Sequence, residues 1–190
     1  MSTQQTESTR ERILAAACEL FAAHTYRAAT MREIAERLGI TKPSLYYHFS
    51  SKAEILESLI GTPIDELARA VDAAAAERDP AEAKRRVLRG CVDVIVTHRD
   101  TMRLLLRDAS VYSDGSTRVV ERVVATVDRA VDLLAGPGAD WRARLRAAQA
   151  FAAATDPAAQ FTDVPANELR EELVAGAAAV IGLAPAAGGG

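Results

Sequence analysis

Three times within the first 54 residues a hydroxyl side chain is followed, three positions on, by a glutamate: Ser8 with Glu11, Thr30 with Glu33, and Ser51 with Glu54. In this capping box the hydroxyl accepts from a free backbone N–H at a helix start, and the glutamate reaches back to the N–H of the capping residue. The pattern predicts helices at three fixed points. The first runs from Thr9 to about Ala23, with Ile13, Leu14, Ala17, Leu20 and Phe21 on one stripe. Between the second and third boxes lies TMREIAERLGITKPSLYYHF, residues 30–49, which reads as two short helices joined by a tight turn. Ala35 lets the helices approach, Gly39 permits left-handed backbone, and Leu45 anchors the second helix. The Thr41 hydroxyl can cap that helix, and Pro43 is tolerable in its first turn, where no N–H is needed.

The third box opens a helix from Lys52 to about Ala76, in which Thr62-Pro63 predicts a kink or an early break. Beyond Asp79-Pro80 the periodicity predicts helices over 81–98, 100–112, 117–135, 140–155 and 166–182, with a turn at residues 113–116 and a stop at Gly136-Pro137-Gly138. That makes about nine helices and an all-α fold. A three-helix head spans 1–52, a connecting helix 53–79, a helical body 80–182, and a tail over 183–190 is expected to be disordered. No apolar run approaches the roughly 20 residues of a membrane span. The polar start MSTQQTESTRER lacks a signal-peptide core, so a cytoplasmic protein is expected.

The recognition face follows from the helical wheel. With Leu45 inward, Phe49 lies about 40° away at 100° per residue, while Pro43 and Tyr47 point nearly opposite, with Ser44 beside them. Tyr46 and His48 occupy the flanks and Lys42 the leading end. A core does not require such a polar and aromatic face; a DNA groove does. The net charge of −3 divides in the same sense: residues 1–52 carry seven Lys or Arg against five Glu, and the remainder 16 basic against 21 acidic residues.

The segment TRERILAAACELFAAHTYRAATMREIAERLGITKPSLYYHFSSKAEIL, most specifically LYYHFSSK, resembles the DNA-binding domain of the TetR family of bacterial transcriptional regulators. One departure is His24-Thr25-Tyr26 where that family usually has a glycine, a substitution that costs about 1 kcal/mol at a left-handed cap. A recognition helix enters the major groove with its N-terminal residues nearest the bases, which assigns base contacts to Lys42, Pro43, Ser44 and Tyr47. The resemblance places Tyr46, His48 and Lys52 on phosphates. Thr30 and Arg32 are expected on the opposite wall of the groove, and Thr41 joins the DNA-contacting set.

The resemblance also implies a homodimeric repressor on a near-palindromic operator, released by a small, largely apolar effector. The body is then an effector-binding and dimerisation domain. Its dimer face is expected at Leu145, Leu169, Leu173, Val174, Ala177, Val180 and Ile181, in a four-helix bundle shared by two copies; the alternative is that these helices close the monomer's own core. The effector pocket is expected among Asp93, His98, Met102, Leu105, Leu106, Tyr112 and Phe151. A rival function is a nucleoid-organising or protein-controlled DNA binder with no small-molecule ligand. Catalysis is not expected: Cys91 and His98 lie about 10.5 Å apart along a helix axis, and there is no phosphate loop, metal-ligand spacing or nucleophile elbow, so neither cofactor nor metal is implied. Cys18 and Cys91 read as plain core residues.

Overall fold

A computed structural model describes residues 8–114 and 117–184; the far end of the expected tail and two residues of the turn at 113–116 lie outside the described residues. Regular structure among the described residues is helical throughout. The helices are α1 (Thr9–His24), α2 (Met31–Leu38), α3 (Lys42–His48), α4 (Lys52–Ala75), α5 (Pro80–Thr97), α6 (Arg99–Arg107), α7 (Ser110–Asp114), α8 (Thr117–Ala135), α9 (Trp141–Thr155) and α10 (Ala166–Val180). A 3-10 turn at Asp156–Ala159 follows α9. Among the described residues, no helix is long and apolar enough to cross a membrane.

The chain divides within α4, α6 and α8 into two units. One joins the N-terminal helices, through Gly61, to Arg103–Val120; the other holds Thr62–Met102 and the chain from Glu121 onward. This is not a division in sequence order at residues 52 and 79, because side chains near residue 110 bind the head. The Tyr26 N–H donates to Asp108 Oδ2 at 2.5 Å and the Arg27 N–H to Ser110 Oγ at 3.1 Å. Asp108 also breaks the helix expected over 100–112 into α6 and α7, since its Oδ1 accepts from the N–H and hydroxyl of Ser110 and so caps a new start. That break makes the tenth helix.

Two of the three capping boxes close as the sequence implies. Glu11 N–H meets Ser8 Oγ at 3.2 Å while Ser8 N–H meets Glu11 at 2.7 Å, and Thr30 and Glu33 repeat the exchange at 3.2 and 2.8 Å. The third is displaced by one residue. The Glu54 N–H reaches Ser51 Oγ, but its carboxylate accepts from the N–H and hydroxyl of Ser50, both at 2.7 Å. Phe49 is extended at φ −143° and ψ 120°, so the chain has left α3 before Ser50 and that N–H needs a side-chain acceptor. The head's core is Ile13, Ala17, Leu20, Phe21, Ile34, Ala35, Leu45 and Phe49, all buried. Gly39 takes the expected left-handed conformation at φ 64° and closes α2 on Ala35 and Glu36.

α4 passes through Pro63 without ending, although the proline's missing N–H removes one rung of the ladder. In the second unit its buried residues Ile64, Leu67 and Val71 lie on one stripe, and Gly90 brings α5 close. A Cβ on Gly90 would stand 2.8 Å from that of Ala70. Asp79 caps α5 through the Ala81 N–H, and Asp140 caps α9 through the Ala143 N–H. α10 packs on both α9 and α5.

Candidate nucleic-acid interface

The surface of α3 is prepared by its ends. Thr41 Oγ1 accepts from the Ser44 N–H at 3.3 Å and Pro43 occupies the first turn, so seven residues hold a helical start that no side-chain burial favours. Leu45 and Phe49 are the anchors, fully enclosed. Their burial leaves the opposite face to solvent: Tyr47 is 86% exposed and Tyr46 51%. Lys42 and Pro43 are exposed beside them, and Ser44 is half-buried. The Tyr47 and His48 rings meet edge to face at 5.3 Å, which stiffens both. The face expected to meet bases is thus assembled on one side of one rigid, capped helix.

At the head of α2 the groups are already engaged. The Thr30 hydroxyl donates to Glu33 at 2.8 Å, and Arg32 Nε lies 2.6 Å from Glu36 Oε1. Hydrogen bonds from the Thr30 side chain, then from its backbone, hold the Glu33 carboxyl below its usual range. Arg32 and Glu36 are both well exposed, a pairing that water and a phosphate can compete for.

Lys52 requires a correction. Expected on a phosphate, it points inward, and its ammonium donates to the carbonyls of Tyr26 at 2.6 Å, Ala29 at 2.9 Å and Arg27 at 3.2 Å. It also lies 4.5 Å over the Tyr26 ring. An ammonium has three N–H donors, and three carbonyls take them. Lys52 therefore clamps the connection between α1 and α2 and positions the reading helices from behind.

Three residues near this head were not singled out by sequence reasoning. Arg10 stacks 4.2 Å over the Phe49 ring and donates to Ser58 Oγ at 2.9 Å. Asp108 and Ser110 hold the backbone of Tyr26 and Arg27 from the other side. Burial alone would raise the Asp108 carboxyl, but bonds from Ser110 and Tyr26 and the charge of Arg27 hold it below its usual range. No local pattern marks these residues, because their partners in the head lie about 40 to 83 positions away.

The residues expected to share an effector pocket fall in both units: Asp93, His98, Met102 and Phe151 in the second, Leu105 and Tyr112 in the first. His98 Nε2 is 2.7 Å from Glu66, and Met102 and Phe151 are buried core. Leu105 and Tyr112 belong to the head unit, where the Tyr112 hydroxyl donates to the Leu105 carbonyl at 2.8 Å; the Leu106 side chain lies outside the described residues. Asp93 alone of this set lines a groove between α5 and α10. Helical periodicity finds inward faces but cannot say which of them meet. Cys91 is enclosed and burial pushes its thiol up to about 12, the state of an inert core residue; Cys18 is half-buried.

The expected dimer face is corrected in part. Leu169, Leu173 and Ala177 are buried within the chain itself, where α10 packs on α9 and α5, so that stripe closes the monomer's own core. Leu145 and Val180 stay exposed and Val174 and Ile181 half-buried.

Residues 13–59 match the family of bacterial regulatory proteins described as the tetR family. Among relatives, the transcriptional activator FasR of Mycolicibacterium smegmatis is 45% identical over 62 residues, covering 33% of this chain and 28% of FasR. The transcriptional repressor KstR2 of Mycobacterium tuberculosis is 35% identical over 119 residues, covering 62% of this chain and 56% of KstR2. The chain thus matches between about a quarter and just over half of those relatives' lengths. Likeness in structure extends further: SCO3833 of Streptomyces coelicolor, a member of the same family, superposes with a TM-score of 0.75 at 26% identity over 98% of this chain and 96% of that one. In a helix-turn-helix head that matches in sequence and an all-helical fold that matches almost end to end, this chain is similar to the TetR family of bacterial transcriptional regulators.

Proposed function

We propose that the protein is a dimeric, DNA-binding transcriptional repressor of the cytoplasm, seated on a near-palindromic operator and released by a small molecule. The observation that carries this reading is the outward face of α3, where Tyr47 stands 86% exposed next to Lys42, Pro43 and Ser44. A tyrosine so exposed adds little burial to the fold and suits a flat apolar and hydrogen-bonding partner. Lys42, Ser44 and Tyr47 read base edges, with Pro43 against a thymine methyl; Tyr46, His48, Thr30 and Arg32 hold phosphates. Thr41 sets the angle of the helix through its cap.

One such head contacts too few bases for specific binding, so two are required. The exposed Trp141, Leu145 and Val180 on α9 and α10 support pairing through those helices, outside the stripe that the monomer buries. Selection of bound fragments from random DNA, repeated with candidate ligands present, tests the whole reading. A motif with two-fold symmetry, lost on adding one ligand class, is the expected result. Recovery of fragments with no common motif would instead make the protein an architectural DNA binder.

A further inference from the structure

Beside the contact of α5 with α10 lies a groove of about 560 Å³, a size usual for small-molecule sites. Its polar groups are unequally engaged. Arg170 of α10 closes on Asp93 at 3.1 Å and Thr97 at 3.0 Å, which neutralises that stretch. Arg85 and Arg89 stand four residues apart on one face of α5. Arg85 gives one terminal nitrogen to Glu82 at 3.2 Å, but its Nε is buried and meets no acceptor among the described residues. Arg89 is exposed, and no ion pair takes it among the described residues. A charged donor buried without an acceptor is a standing cost that an incoming oxygen removes. The remaining wall is apolar, from Leu88 of α5 to Val174, Ala178 and Leu183. Three arginines against the carboxylates of Asp93 and Glu171 leave the lining one positive charge.

We propose that this groove binds a single-headed carboxylate with an apolar tail, its carboxylate on Arg85 and Arg89 and its tail along Leu88, Val174, Ala178 and Leu183. A guanidinium fork matches a carboxylate geometrically, and one negative charge matches the net charge of the lining. The proposal gives the effector a place and a chemical class. Its consequence for DNA rests on the function proposed above, whereas binding itself does not.

The test is calorimetric titration of the full chain with sodium dodecanoate below its micelle-forming concentration, against dodecyltrimethylammonium, which has the same tail and the opposite charge. Dodecanoate should bind and the cation should not. Arg85→Met and Arg89→Met, which keep the stems and remove the guanidinium groups, should each weaken dodecanoate about tenfold. Ala178→Phe should block it by filling the tail wall, with circular dichroism confirming that each variant is folded. Equal binding of the cation, or unchanged affinity in both arginine variants, would overturn the carboxylate site. So would a fall in sedimenting mass in Ala178→Phe, since a second copy of the chain would then be what covers the groove. Anisotropy on the selected operator separates the two readings: dodecanoate that binds with these sensitivities yet leaves DNA affinity unchanged supports the groove and removes its role as effector site.

Discussion

Thr25 is a non-glycine residue at φ 71° and ψ 154°, a region essentially reserved for glycine. A β-branched side chain there carries strain of roughly 1–3 kcal/mol. Replacing it with glycine removes that strain. Two losses oppose the gain. Glycine is freer in the unfolded chain by about 0.5–1 kcal/mol. The Thr25 hydroxyl also accepts from the Ala28 N–H, but at 3.4 Å, so the bond contributes at most about 0.5 kcal/mol. The side chain is exposed and no packing is lost. Taken at the middle of these ranges, Thr25→Gly should stabilise the head by about 1 kcal/mol. Native-state hydrogen exchange of the α1 and α2 amides reads the head separately from the body, and protection there should rise severalfold. Thr25→Ala is the decisive control, because alanine keeps the Cβ that makes this φ costly while losing the branch and the hydroxyl. It should give no gain. If alanine stabilises as much as glycine, or if glycine lowers protection, backbone strain at Thr25 is not what limits the head.

The remaining predictions concern DNA and acid. Tyr46→Ala should weaken binding to all DNA sequences about equally, whereas Lys42→Ala should change the selected motif; each is read by repeating the random-DNA selection, and a shared pattern in the two variants would refute the division into phosphate and base contacts. Lys52→Met should destabilise the head by about 1–3 kcal/mol, since two part-buried carbonyls, of Tyr26 and Ala29, and the exposed one of Arg27 lose their donor. If Lys52 touches no phosphate, the slope of log affinity against log salt stays unchanged in that variant, and a slope shallower by about one would restore the phosphate role. Glu11 and Glu33 are held below the usual carboxyl range by bonds to their capping residues Ser8 and Thr30, and Glu54 by bonds to Ser50. A carboxylate with a lowered folded pKa adds stability that is complete above its unfolded pKa and is lost as pH falls through the folded one. The head should accordingly melt at lower temperature as pH drops below about 4.5, the ordinary carboxyl value, with a shallower dependence when all three are glutamine.

What was legible in this sequence was local. A capping box closes over three residues, Gly39 answers to its own φ, and the face of α3 follows from 100° steps away from Leu45, so each could be read without knowing what lies across the fold. Lys52 shows where such reading stops. An ammonium near a recognition helix suits a phosphate and a cluster of carbonyls equally, and only the path of residues 26–29 decides between them. The stripe of Leu169, Leu173 and Ala177 is ambiguous in the same way, because an apolar face does not record whether its cover comes from α5 and α9 or from a second chain.

The same distant contacts account for the one local rule the head breaks. Strained backbone persists only where its surroundings over-determine it. The turn after Thr25 is held on one side by the Lys52 ammonium on three of its carbonyls and on the other by Asp108 and Ser110 on two of its N–H groups. A cation thus fixes acceptors, and a carboxylate and a hydroxyl fix donors, of the same few residues, and Thr25 adopts the φ they impose. Because Asp108 stands at the junction of α6 and α7, the conformation of that junction sets the backbone on which α2 begins. A glycine at residue 25 would meet the same geometry without such holding, whereas in this chain the strain makes the turn depend on contacts 82 residues away.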